Sequence, residues 1–181
     1  TIATNAVIQG NLAKAAMICT RGFRDLLELR EGLKEQRYNP FVAPPVPLVP
    51  RHLRLSVDER IGPGGEVLLP LDEASVAAAI ITLEKQAVEA VCVCLLWSVI
   101  NPVHEERVYE ILQQRLPGMP VYLSSRVSPR IREYPRYSTT ALCAALDPKL
   151  RRYVTSVEDN LRALGYTGAI RYIQCNGGTT S

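Results

Sequence analysis

The chain has 181 residues, of which 47% are hydrophobic and 22% charged, with a formal net charge of +3. That is enough apolar material for one domain with a buried core, or one domain plus a small lobe. Basic side chains are spread along the chain apart from an arginine run between Arg126 and Arg136, without the basic face and stacking aromatics of a nucleic-acid binder. The longest apolar run, Ala90 to Ile100, is too short to cross a bilayer, and no segment resembles a signal peptide.

In chain order, small hydroxyl and amide residues from Thr1 to Asn5 enter a helix, where they suit capping and anion binding equally. Ala13 to Cys19 reads as a strand, Arg21-Gly22 as a turn, and Phe23, Leu26, Leu27 and Arg30 as one helical face. Prolines at 40, 44, 45, 47 and 50 make residues 32–53 an irregular excursion. Leu53 to Arg60 alternates apolar and polar residues as a half-exposed strand does, and Gly62-Pro63-Gly64-Gly65 turns it into a hairpin rather than a phosphate loop. Asp72 caps a helix over 73–87, Val91 to Leu96 is a buried strand, Asn101-Pro102 starts a helix over 103–116, and Val121 to Leu123 is a strand. Asp147-Pro148 repeats the cap-and-proline signature and opens a helix over 148–164 with the stripe Leu150, Val154, Val157, Leu161 and Leu164. Ala169 to Gln174 is the last strand. This βαβ order predicts an α/β fold with a mixed or parallel sheet covered by helices.

The five cysteines are odd in number and four lie in apolar contexts, which fits reduced thiols in the cytoplasm. No Cys/His set has metal-ligand spacing, so no metal site is expected. His52 and His104 stand in no Ser-His-Asp or Cys-His arrangement, and His104 falls in the first turn of its helix, where a structural role is expected.

Polar residues concentrate in three stretches. Ser124 to Thr140 follows a strand end, the place where α/β sheets bind ligands, although a surface loop with paired arginines has the same composition. Thr1 to Ala6 is the second stretch. Asn176-Gly177-Gly178-Thr179-Thr180 is the third, where glycines permit close approach of a phosphate or merely a turn. The chain opens on Thr1 in the start of a helix and closes on this turn, so both ends read as cuts through a fold.

Taken in order, several short motifs resemble the hydantoinase A/oxoprolinase family, N-terminal domain: Thr1-Ile2-Ala3-Thr4-Asn5-Ala6, Thr20-Arg21-Gly22-Phe23-Arg24-Asp25, Pro47-Leu48-Val49-Pro50-Arg51, Asp58-Glu59-Arg60, Pro70-Leu71-Asp72-Glu73, Val88-Glu89-Ala90-Val91, Asn101-Pro102-Val103-His104-Glu105, Leu123-Ser124-Ser125, Ser128-Pro129 with Arg132-Glu133-Tyr134, and Gln174-Cys175-Asn176-Gly177-Gly178. The likeness covers the whole chain, residues 1–181, as a partial domain. Departures are Cys175 where a serine is common and Leu142-Cys143-Ala144-Ala145 in place of an Asn-Ala pair.

The resemblance implies an actin-like, ribonuclease-H-type ATPase fold whose phosphate motif lies upstream of Thr1 and whose second lobe follows Ser181. It implies ATP and Mg²⁺ as cofactors of the parent enzyme, with none bound by this segment. It implies a cyclic amide substrate of the hydantoin or 5-oxoproline type, opened after carbonyl phosphorylation, and a hydantoinase B-type partner subunit or domain. An acetone or acetophenone carboxylase subunit, or a non-catalytic assembly module, are the other readings. The expected site takes Arg132 and Glu133 as catalytic, Thr1, Thr4, Asn5, Tyr134, Ser138, Thr139 and Thr140 toward substrate, and Asn176, Gly177 and Gly178 toward nucleotide.

Overall fold

A computed structural model describes residues 2–32, 36, 38–43, 46–173 and 178–180. Helix α1 (Ile2–Ile8) precedes strand β1 (Ala15–Thr20), every residue of which is buried. A turn at Gly22 and the single-turn helix α2 (Leu26–Leu29) lead, through a proline-rich stretch without regular structure among its described residues, to a 3-10 turn at Arg51–Leu53 and strand β2 (Arg54–Val57). The glycine turn closes an antiparallel hairpin of β3 (Arg60–Ile61) and β4 (Val67–Leu69), as its composition predicts. Helix α3 (Glu73–Gln86), strand β5 (Ala90–Cys94), helix α4 (Val103–Arg115) and strand β6 (Val121–Leu123) then alternate. Asp72 caps α3 by accepting from Ala74 N at 3.1 Å and Ser75 N at 3.2 Å, which removes two of the unpaired donors of the first turn.

The main sheet has the order β2-β1-β5-β6, and all three pairings are parallel. Such a sheet is buried on both faces, and β1 and β5 are accordingly continuous apolar runs rather than alternating ones. The crossovers from β2 to β5 and from β5 to β6 advance in one direction, so the right-handed rule puts α3 and α4 on the same face, where they touch each other. The β1 to β2 crossover runs the opposite way. It puts α2 on the other face, against the chain's longest helix, α6 (Glu133–Ala163).

Helix α6 overturns two expectations. The helix expected to start at 148 starts at Glu133, so the polar stretch Ser124 to Thr140 is a short helix α5 (Ser124–Val127), an irregular link over 128–132 and the first two turns of α6. Pro148, expected at the first helical position, lies inside the helix. A proline there deprives the helix of one hydrogen bond and costs about 3 kcal/mol. Tertiary contacts offset this around the same turn: Ala13 N donates to Ala145 O at 2.8 Å, Tyr122 donates its hydroxyl to Asp147, and Arg152 pairs with Glu89 at 2.9 Å. Only the half before Pro148 is buried.

Three boundaries also move. Strand β1 runs on to Thr20, where the last core position is a polar one. The half-exposed alternation expected from Leu53 fails at Arg54, which is 1% exposed and donates to Arg24 O at 3.0 Å and to Glu28 at 2.5 Å. Of the expected last strand, Tyr172–Ile173 (β7) pairs antiparallel with Thr179–Thr180 (β8), and Gln174 falls outside the described residues.

Candidate functional site

At the carboxyl edge of the sheet Thr20 ends β1, Ser124 follows β6, and the backbone of Leu95 and Leu96 follows β5; these polar groups converge. Glu105, in the first turn of α4, is fully buried and accepts four hydrogen bonds: from Leu95 N at 3.0 Å, Ser124 Oγ at 2.6 Å, Ser125 N at 2.9 Å and Ser125 Oγ at 2.7 Å. Arg136, equally buried, donates to the same Ser124 Oγ at 3.1 Å, to Leu95 O at 2.9 Å and to Arg130 O at 3.2 Å. Ser124 is thus the bridge between a buried anion and a buried cation. Charges stay in an interior when every donor and acceptor finds a partner, and this pair meets that condition.

A second buried group lies beside it. Glu59 accepts the hydroxyl of Thr20, the last residue of β1, and contacts His104 Nδ1 at 2.8 Å. Thr20 Oγ1 in turn accepts Leu96 N at 3.0 Å. Because a carboxylate only accepts, the contact assigns the proton to Nδ1 of His104. Farther out, Arg21 grips Asp58 and Arg51 grips Asp25, and the guanidinium hydrogen bonds hold both carboxyls below their ordinary values.

On the α2 face the start of α6 borders an open cleft lined by Leu26, Arg30, Glu31, Arg132, Glu133 and Tyr134. An adjoining groove is lined by Leu27, Arg30, Pro47, Leu48, Tyr134 and Ser138, so Arg30 and Tyr134 belong to both. Arg132 caps α6 with φ 83° and Arg30 follows α2 with φ 57°, a region that non-glycine residues occupy at a cost of roughly 1–3 kcal/mol. Glu133 lies 3.7 Å from Arg136, which ties the cleft to the buried network behind it.

Of the residues expected to form the site, Arg132, Glu133, Tyr134 and Ser138 therefore share one cleft system. Thr139 and Thr140 lie one turn further along α6 and donate to the carbonyls of Pro135 and Arg136 at 2.8 and 2.7 Å, with Thr140 buried. Thr4 and Asn5 are exposed on α1, which packs against α6 and lines neither groove. Thr1, Asn176 and Gly177 fall outside the described residues, while Gly178 is exposed beside β8. Glu59, His104, Glu105 and Arg136 were not among the expected site residues. Their signal was position: Glu105 shares an apolar helical face with Val108 and Leu112, and Arg136 shares one with Thr140 and Ala144.

Among the described residues no three His, Cys, Asp or Glu side chains converge as a metal would require, and no glycine-rich turn leads into a helix start. No described helix is long and apolar enough to cross a membrane.

The fold and the cleft together define a parallel α/β domain whose polar residues gather at the carboxyl edge of the sheet. Residues 1–116 match the hydantoinase/oxoprolinase N-terminal region, and the chain belongs to that family. It is 42% identical over 98% of its length to the caprolactamase alpha subunit of Pseudomonas jessenii and 34% identical over 99% to the acetophenone carboxylase gamma subunit of Aromatoleum aromaticum, covering 26% of each. The crystal structure of the ATP-dependent caprolactamase from Pseudomonas jessenii superposes with a TM-score of 0.90 at 41% identity, over 99% of this chain and 26% of that one. The chain spans about a quarter of the length of these relatives.

Proposed function

We propose that the chain forms the substrate-facing α/β part of an ATP-dependent hydrolase of cyclic amides, acting on a lactam or hydantoin-type ring. The observation that carries this reading is the cleft at the start of α6, where Arg132, Glu133, Tyr134 and Ser138 meet. A lactam offers a carbonyl oxygen that accepts and an N–H that donates. Arg132 suits the first, and the carboxylate of Glu133 suits the second, while Tyr134 covers the apolar ring. Glu133 is also the group able to take a proton from an attacking water. The similarity to a caprolactamase subunit supports the amide class.

In this reading Thr139 extends the same surface and the buried Thr140 holds the helix turn behind it, while Thr1, Thr4, Asn5, Asn176, Gly177 and Gly178 contribute toward substrate and nucleotide in the intact protein. The second reading, an acetone or acetophenone carboxylase subunit, is favoured by the 34% identity to such a subunit over nearly the whole chain. Both readings place the chain in a multi-subunit enzyme, with a hydantoinase B-type protein as its partner. ATP hydrolysis by the intact protein with that partner, measured against hydantoin, caprolactam, 5-oxoproline and acetophenone, separates them. Stimulation by a cyclic amide supports the first, stimulation by acetophenone with bicarbonate supports the second, and stimulation by none of them overturns both.

A further inference from the structure

We infer that Arg30 and Arg132 form a subsite that recognises the carboxylate of a small aliphatic acid at the junction of the two grooves. The inference rests on the substrate cleft proposed above and adds Arg30 to it. Arg30 is half-buried, and among the described residues its guanidinium has neither a hydrogen bond nor an ion pair. The arginines around it differ: Arg21, Arg51 and Arg54 hold carboxylates, and Arg24 donates to Arg51 O at 2.6 Å. Arg132 is nearly as unengaged, since its one ion pair, with Glu31, is at 3.7 Å, beyond hydrogen-bond range. Glu31 and Glu133 line the same cleft but neither pairs with Arg30, so an entering carboxylate meets guanidinium donors that no side chain engages. The planar fork of a guanidinium matches the two oxygens of a carboxylate.

The walls fix the rest of the ligand. Besides Arg30, Tyr134 and Ser138, the adjoining groove is lined by the apolar Leu27, Val46, Pro47 and Leu48. That surface takes a chain of a few methylenes extending from the carboxylate. The left-handed backbone of Arg30 supplies an unusual control, because glycine adopts φ 57° without strain. Arg30→Gly removes the cation while relieving the backbone.

The test is calorimetric titration of the intact protein, without nucleotide, with hexanoate and with its neutral isostere hexanamide. Hexanoate is expected to bind at least tenfold more tightly than hexanamide. Arg30→Gly should lower hexanoate affinity at least tenfold at an unchanged or higher Tm, and Glu31→Gln, which removes the carboxylate competing for Arg132, should raise it. Equal binding of acid and amide, no measurable binding of hexanoate, or an Arg30→Gly variant with parental affinity each overturn the inference. Since no nucleotide is present, these outcomes leave the hydrolase reading untouched. Loss of lactam-stimulated ATP hydrolysis alongside intact hexanoate binding would strike that reading alone.

Discussion

Taking a guanidinium out of water carries a penalty of several kcal/mol, recovered only when its donors and its charge are matched. Arg136 matches them through two carbonyls and Ser124, with Glu105 on the far side of the serine. Arg136→Met should therefore leave a buried carboxylate without its cation and lower stability by about 3–5 kcal/mol, seen as a fall in urea midpoint at unchanged m-value. Arg132 and Glu133, by contrast, line the open cleft, and the proposed function gives them a part in the reaction. Arg132→Ala and Glu133→Gln should each lower substrate-stimulated ATP hydrolysis tenfold or more, about 1.4 kcal/mol, while thermal unfolding of the intact protein changes little. Parental rates in both variants would remove these two residues from the site. The cleft half of the site was legible in the sequence because polar residues crowd a strand end. The buried half was not, because a single charged residue in a sequence reads as solvated surface, and only its place on an apolar helical face tells otherwise.

At the scale of elements, helix α6 carries the most instructive misreading. Asp147-Pro148 has the composition of a helix start, and local preference alone would put one there. Buried residues before the proline and the contacts of Ala145, Asp147 and Arg152 keep the helix continuous, so tertiary packing overrides the local signal. Pro148→Ala should consequently raise stability by about 2–2.5 kcal/mol, the regained helix preference less the added freedom of the unfolded chain, measurable as a higher Tm. Strands β1, β5 and β6 and helices α3 and α4 were legible because apolar period, caps and prolines agree there. The edge of β1 offers a pH test. Glu89 accepts Lys14 N at 3.0 Å, and this hydrogen bond, aided by Arg152, depresses its carboxyl below the ordinary value near 4.3. A depressed carboxylate stabilises the fold above its unfolded pKa, and that contribution is lost as pH falls through the lower folded value. Parental protein and Glu89→Gln should thus differ in stability at pH 6 and converge in acid, as denaturant titrations at several pH values would reveal.

For the whole molecule, the sheet interior sets the reactivity of its thiols. Burial pushes Cys19 up to about 12, raises Cys94 well above its ordinary value, and shifts the half-buried Cys143 in the same direction. Cys19, Cys92 and Cys94 are all buried and free, so native alkylation at neutral pH should leave these three unmodified while unfolding exposes them. Mass spectrometry of peptides labelled before and after denaturation checks this. The strand order has a separate consequence for how the chain assembles. No strand of the main sheet meets its neighbour through a hairpin: β1 waits for β2 across residues 21–53, and for β5 across residues 21–89. The shortest closure, β5 to β6 through α4, spans residues 95–120 and carries the smallest loop-closure cost of the three pairings. Contacts so distant along the chain put refolding in the millisecond-to-second regime rather than the microseconds of a helical bundle. The buried arginine of α6 donates to Leu95 O just past β5 and to Ser124 just past β6, so its partners stand together only where these two strands are paired.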